Sequence, residues 1–173
     1  GDEDIIELLI QNKANVNARG RENNTPLNYT GDVEIARKLI NHKASVSVQD
    51  EHGYMPLHYA IIEDDIEMMA LLIKSKANMN AQNQYGYTPL HFASIREISE
   101  YLIKNKADVN AQNADGATPL HTAVCRGNIE VIESLIRHNT NVNTEDVGGH
   151  SAFYYSAKPE IIHKLLELVG DAD

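Results

Sequence analysis

Apolar residues recur along this chain in short bursts at helical spacing, separated by polar stretches rich in Asn, Asp and Gly. Ile5, Leu8 and Leu9 form the first burst, and Val131, Leu135 and Ile136 a later one. Steps of three and four residues put such side chains on one face of a helix. The bursts occupy six related segments: Asp4 to Ile10, Glu34 to Ile40, Glu67 to Ile73, Glu97 to Ile103, Glu130 to Ile136 and Glu160 to Leu166. Each opens with an acid, which complements the positive end of a helix dipole. The pattern therefore predicts six short amphipathic helices.

Between them lies a second set of apolar segments. Thr25-Pro26-Leu27-Asn28, Met55-Pro56-Leu57-His58, Thr88-Pro89-Leu90-His91, Thr118-Pro119-Leu120-His121 and Ser151-Ala152-Phe153-Tyr154 start 30, 33, 30 and 33 residues apart. Thr followed by Pro is a helix start, Thr capping the first turn and Pro occupying its first position. A third piece closes the units: Ala14 to Asn17, Ala44 to Ser47, Ala77 to Asn80, Ala107 to Asn110 and Thr140 to Asn143, followed by turn chemistry at Gly53, Gly86, Gly116 and Gly149. Each unit reads helix, turn, helix, extended loop, with boundaries near 1–17 (partial), 18–47, 48–80, 81–110, 111–143 and 144–173. No such helix is long enough to stand alone in water, so stacked neighbours must supply the core.

The Thr-Pro-Leu-His-x-Ala run, completed at His91-Phe92-Ala93 and His121-Thr122-Ala123, the period near 33, and Ala-Asp-Val-Asn at 107–110 resemble the ankyrin repeat over essentially the whole chain. The resemblance implies an all-α solenoid of helix-turn-helix units with finger-like loops. It also implies a concave surface of inner helices and fingers used for protein–protein recognition. The units alternate in length. Those opened by Thr25, Thr88 and Ser151 run 16 residues to the end of their second helix, and those opened by Met55 and Thr118 run 19. The missing three residues are nearly one turn and fall at the end of the first helix. The array thus repeats every 63 residues, and a notched recognition face with locally altered curvature is expected. Lys13, Lys43, Lys76, Lys106 and Asn139 stand where the family usually has a glycine with positive φ. Lys there costs about 1 kcal/mol, offset in part by its charge at a helix C-terminus, so modest stability is expected. The chain opens mid-unit at Gly1-Asp2-Glu3-Asp4, which reads as an array cut from a longer one. The last unit, without Pro and His, reads as a degenerate cap.

Charge narrows the partners. The net charge of −10 argues against nucleic acid and anionic membranes and favours a protein with a basic patch. No apolar run approaches the roughly 20 residues of a transmembrane helix, and no targeting segment is visible. One cysteine, Cys125, allows no internal disulfide and suits a reducing compartment, cytoplasmic or nuclear. Asn and Ile each make up about a tenth of the chain. That suits an AT-rich genome, and with it a host-directed effector as one version of the protein.

No catalytic constellation emerges, and neither a metal nor a cofactor is expected. His58, His91 and His121 share one repeated position and read as structural hydrogen-bonding groups. Cys125 has Arg126 beside it but no nucleophile's partner set. Glu63-Asp64-Asp65 lacks the spacing of a calcium loop and reads as helix-start acids with a contribution to partner contact. Gly148-Gly149 lacks the ending of a phosphate loop.

Aligned on the turn glycines, the finger tips are Arg21-Glu22, Glu51-His52, Gln84-Tyr85 and Ala114-Asp115, followed at the next inward place by Asn24, Tyr54, Tyr87, Ala117 and His150. In the family these places face the partner, and Tyr is favoured at binding hot spots. The candidate partner-binding residues are Glu51, His52, Tyr54, Ile62, Glu63, Gln84, Tyr85, Tyr87, Asp115, Cys125, Arg126 and His150. For Tyr54 and Tyr87, packing between fingers is the competing reading. A monomeric protein-binding module is the leading function. A structural or regulatory segment of a larger enzyme or toxin, self-associating or docking internally, is the alternative. Catalysis within these residues comes last.

Overall fold

A computed structural model describes residues 2–156 and 159–170. Among the described residues are ten α-helices and no strand, only an isolated antiparallel bridge between Glu145 and Ser151. No helix there is long and apolar enough to cross a membrane. The chain divides into two compact units, residues 1–78 and 79–173.

In residues 1–78 the order is α1 (Asp2–Gln11), α2 (Pro26–Tyr29), α3 (Val33–Asn41), α4 (Pro56–Ile62) and α5 (Ile66–Lys74). The inner helices α2 and α4 pack on each other, as do the outer helices α3 and α5, and each inner helix packs on its own outer one. Leu27, Leu39, Leu57, Ile61, Met69 and Leu72 are buried at the junctions. In residues 79–173, α6 (Pro89–Phe92), α7 (Arg96–Lys104), α8 (Pro119–Arg126) and α9 (Ile129–Arg137) repeat the scheme, followed by a 3-10 turn, Ala152–Tyr155, and α10 (Pro159–Gly170). Leu90, Ile98, Leu102, Leu120, Ile132 and Leu165 form the interior. The side chains of Ser99 and Ser134, both buried, satisfy each other at 2.9 Å.

The inner helices differ in length as expected. Those of the 16-residue units are four residues long, and those of the 19-residue units reach seven and eight. The fifth is a 3-10 turn without Pro. The outer helices α3, α5, α7 and α9 are all nine residues. Their N-termini are held by side chains where one is available: Asp32, Asp65 and Asn128 accept from backbone N–H groups of the first turn. Glu34, Glu67, Glu97 and Glu130 lie in first turns, while the side chain of Glu160 lies outside those described.

Every outer helix from α1 to α9 ends with the same lock. The residue one beyond the cap has positive φ: Lys13 62°, Lys43 69°, Lys76 68°, Lys106 73° and Asn139 58°. Its N–H and the next one bond back to the helix, as in Lys43 to Ile40 and Ala44 to Leu39, both 2.9 Å. This is a Schellman closure, normally built on glycine. The following Asn joins one closing loop to the next. Asn17 Nδ2 donates to the carbonyl of Lys43 and its Oδ1 accepts from Ser45, and Asn80 does the same with Lys106 and Asp108.

Candidate partner-binding surface

Four of the five fingers turn on one side chain that the repeat pattern did not single out. Asp50 Oδ1 accepts the N–H groups of His52 and Tyr54, and Asn83 those of Tyr85 and Tyr87. Asn113 serves Asp115 and Ala117, and Asp146 serves Gly148 and His150, all at 2.8–3.0 Å. The sequence signal is Asn or Asp three residues before the turn glycine. The glycine is needed twice over at Gly86 and Gly116, where φ is 78° and 75° and an added Cβ would meet the next finger's backbone at 2.6 and 2.9 Å. Neighbouring tips are joined by backbone bonds: Glu51 N–H to the carbonyl of Glu22, Ala114 to Tyr85, and Val147 to Asp115. In the first finger Glu22 and Asn23 take positive φ in place of a glycine.

The repeated histidines hold this scaffold. His91 Nδ1 accepts from the N–H of Thr88 at 3.1 Å, and its Nε2–H donates to the carbonyl of Ala117 at 3.0 Å. His121 does the same with Thr118 and His150. Nδ1 as acceptor and Nε2–H as donor is a neutral imidazole. Burial holds the pKa of His91 down at about 4, against the opposing effect of its hydrogen bond to Ala117. In the first full unit Asn28 takes this place. Its Oδ1 accepts from Thr25, but the shorter side chain leaves Nδ2 buried without a partner.

The candidate residues divide by burial. Tyr54 and Tyr87 are half-buried, each edge-on to a histidine (His58 and His91) and tilted against an inner-helix ring (Tyr59 and Phe92). Both rings therefore pack within the fingers. Asn24 is buried outright. His150 stacks on Tyr154 with centroids 3.8 Å apart. Glu51, His52, Gln84, Tyr85 and Asp115 stand exposed at tips, Tyr85 at 50%. Ile62, Glu63, Cys125 and Arg126 are exposed at the ends of α4 and α8. Glu63 closes α4, Asp64 has a φ of 54°, and only Asp65 caps α5, so just the last of the three acids sits at a helix start. Among the described residues no group of three or more His, Cys, Asp or Glu could hold a metal ion.

Two hydroxyl–carboxylate pairs back the fingers. Tyr59 donates to Asp50, and Tyr155 to Asp146. Burial first, then this bond, lifts the Tyr59 phenol above its ordinary range. The bond to Asp146 pushes Tyr155 up to about 12 and holds the Asp146 carboxyl below its usual value.

Within residues 79–173, Tyr87, Asp115, Cys125 and His150 line one open cleft of about 450 Å³, floored by His121 and Thr122 and walled by Val147 and Tyr155. The fingers, the Thr–Pro helix starts and the histidine bonds to the next finger recur as one framework. The family of ankyrin repeats, in three copies, matches residues 28–113 and 96–173. The chain belongs to the ankyrin-repeat family. Ankyrin repeats are generally protein–protein interaction modules, and the family is typically non-catalytic. A comparison with curated proteins finds no match.

Proposed function

We propose that this ankyrin-repeat chain binds a partner protein through its finger tips and the ends of its longer inner helices. One observation carries the reading. Four side chains from three fingers and one inner helix, Tyr87, Asp115, Cys125 and His150, converge on a single cleft of about 450 Å³, although 63 residues of sequence separate the first from the last. Tyr85, half-exposed on the adjoining tip, offers a large ring at little entropic cost. The fingers at 81–87, 111–117 and 144–150 carry Asp115, Glu145 and Asp146 and no Lys or Arg. That balance favours a partner with a basic patch. The exposed thiol of Cys125 suits a reducing setting, cytoplasmic or nuclear, with a host cell as one version.

The test uses the chain and a Tyr85→Ala/Cys125→Arg variant, each immobilised and exposed to cytosolic extract at two salt concentrations. Tyr54 and Tyr87 are left alone because they pack internally. A protein retained by the parent, lost by the variant and weakened by salt is the expected result. Identical captures by both would remove the cleft from the binding surface.

A second reading has its own support. Ile5, Leu8 and Leu9 of α1 are 58%, 60% and 51% exposed and share one helix face. Such an apolar ridge favours self-association. A concentration-dependent dimer in light scattering, abolished by Leu8→Glu, would move the structural-segment alternative ahead of the monomeric module.

A further inference from the structure

The shortened inner helices α2 and α6 each stop a turn early beside a longer helix, α4 or α8, and corresponding residues lie 63 positions apart. In residues 79–173 the chain bridges the resulting gap itself. Arg126 Nη1 donates to the carbonyl of His91 at 3.3 Å and lies 3.4 Å from that of Phe92. Asn128 Nδ2 donates to the carbonyl of Ser94. These carbonyls end a helix whose own turns no longer satisfy them, where a cation is also favoured by the dipole.

In residues 1–78 the same places carry the opposite chemistry. Glu63 corresponds to Arg126 and Asp65 to Asn128, while the acceptor places fall on Asn28, Tyr29 and Gly31. Neither carboxylate donates a hydrogen bond. Among the described residues no donor reaches the carbonyls of Asn28, Tyr29 or Gly31. A cavity of about 310 Å³ remains. Leu27, Pro56, Ala60 and Met68 form its apolar floor, and Tyr29 and Glu63 stand at its rim. Glu63 is exposed and has no ion-pair partner among the described residues.

We propose that this cavity is a socket for an arginine side chain of the partner protein, seated as Arg126 is seated in the corresponding gap. The aliphatic stem lies on the apolar floor. The guanidinium, with five donors in a planar fork, reaches the carbonyls of Asn28 and Tyr29 and takes Glu63 as its counter-ion. The proposal rests on the protein-binding reading above and names the partner group that this part of the surface takes.

The experiment titrates the isotope-labelled chain with N-acetyl-L-arginine methylamide and follows the backbone amide resonances, with the neutral citrulline analogue as control. Saturable shifts at Tyr29, Thr30, Gly31 and Glu63 are expected, absent with citrulline and lost in Glu63→Arg, whose own guanidinium would fill the socket. Circular dichroism checks that this variant keeps its helix content, and Glu63→Gln, which keeps the shape, is expected to weaken the shifts several-fold. Shifts confined to the finger acids, equal shifts with citrulline, or unchanged shifts in Glu63→Arg would overturn the socket. Partner capture separates the two readings. Capture that survives Glu63→Arg but not Tyr85→Ala/Cys125→Arg overturns the socket and leaves the binding module standing. A socket that binds the probe while the parent captures no protein overturns the module and leaves arginine recognition supported.

Discussion

The acid or amide that anchors four of the fingers is matched by the residue nine positions later. Asp50 is paired with Tyr59 and Asp146 with Tyr155, whereas Asn83 is followed at that distance by Phe92 and Asn113 by Thr122. A carboxylate has a second oxygen that needs a donor when buried, and the tyrosine hydroxyl supplies it. An amide spends its oxygen on the backbone and leaves Nδ2 buried and unpaired, as at Asn83 and Asn113. Tyr59→Phe should therefore cost about 2 kcal/mol, the scale of a hydrogen bond to a charged group. The double variant Asp50→Asn/Tyr59→Phe, which copies the Asn83/Phe92 pair, should recover about 1 kcal/mol of that. Urea unfolding of the four proteins in the cycle measures the coupling, and additive effects would show that the pair is incidental. His91 gives a pH prediction. Its folded pKa of about 4 lies below the ordinary 6.5. The unfolded chain therefore takes up a proton that the folded chain refuses. Stability is fully present above about pH 6.5 and falls as the pH drops toward 4, by about 3 kcal/mol at most. His91→Asn, the residue that Asn28 already supplies in its own unit, should lower stability at pH 7 and flatten this dependence. The repeated Thr–Pro–Leu–His runs made the histidines legible in the sequence. The finger anchors escaped notice because Asn and Asp are common in any turn, and only the three-dimensional bonds separate an anchor from a solvated neighbour.

At the scale of elements, the helix closures carry a measurable strain. Lys43, Lys76 and Lys106 adopt φ of 68–73° at exposed sites, where glycine has no steric penalty. Each Lys→Gly change should raise stability by about 0.5 kcal/mol, the left-handed cost of about 1 kcal/mol less the lost interaction with the helix end. The three changes are far enough apart in sequence to be tested together for a cumulative rise in melting temperature, and an unchanged or lower value would refute the strain. The same lysines were readable from sequence because they stand where the ankyrin family usually has a glycine with positive φ. The helix lengths were readable from the three-residue deficit. The ring packing of Tyr54 and Tyr87 was not, since an aromatic residue after a turn glycine fits a partner or a neighbouring histidine equally well in one dimension. Asn28→His should restore the missing bond to the next finger and add about 1 kcal/mol, read as a higher urea midpoint.

Over the whole molecule, charge and framework are distributed separately. The buried polar set (Thr25, Thr88, Thr118, His58, His91, His121 and the anchors Asp50, Asn83 and Asn113) repeats from unit to unit, whereas the exposed tips differ at every finger. With a net charge of −10, association with a basic partner should slow as ionic strength rises, while dissociation changes little, because long-range attraction acts on encounter. Surface plasmon resonance at 50 and 300 mM salt with the captured protein would check this, and a salt dependence confined to the off-rate would contradict it. Ankyrin architecture was legible because each unit restates the same local rules, and the specificity was not, because it resides in the positions that restate nothing.

The fingertip anchor has a consequence for how this protein changes over generations. Asp50, Asn83, Asn113 and Asp146 hold their loops through backbone N–H groups, so these bonds place no demand on the identity of the exposed tip side chains at Glu51, Tyr85, Ala114 and Asp115. Substitutions there are nearly neutral for folding and fully visible to selection on partner choice. A library randomised at 51, 85, 114 and 115 should stay folded in most of its members while its binding preferences scatter, so the chain can exchange one partner for another without passing through an unfolded ancestor.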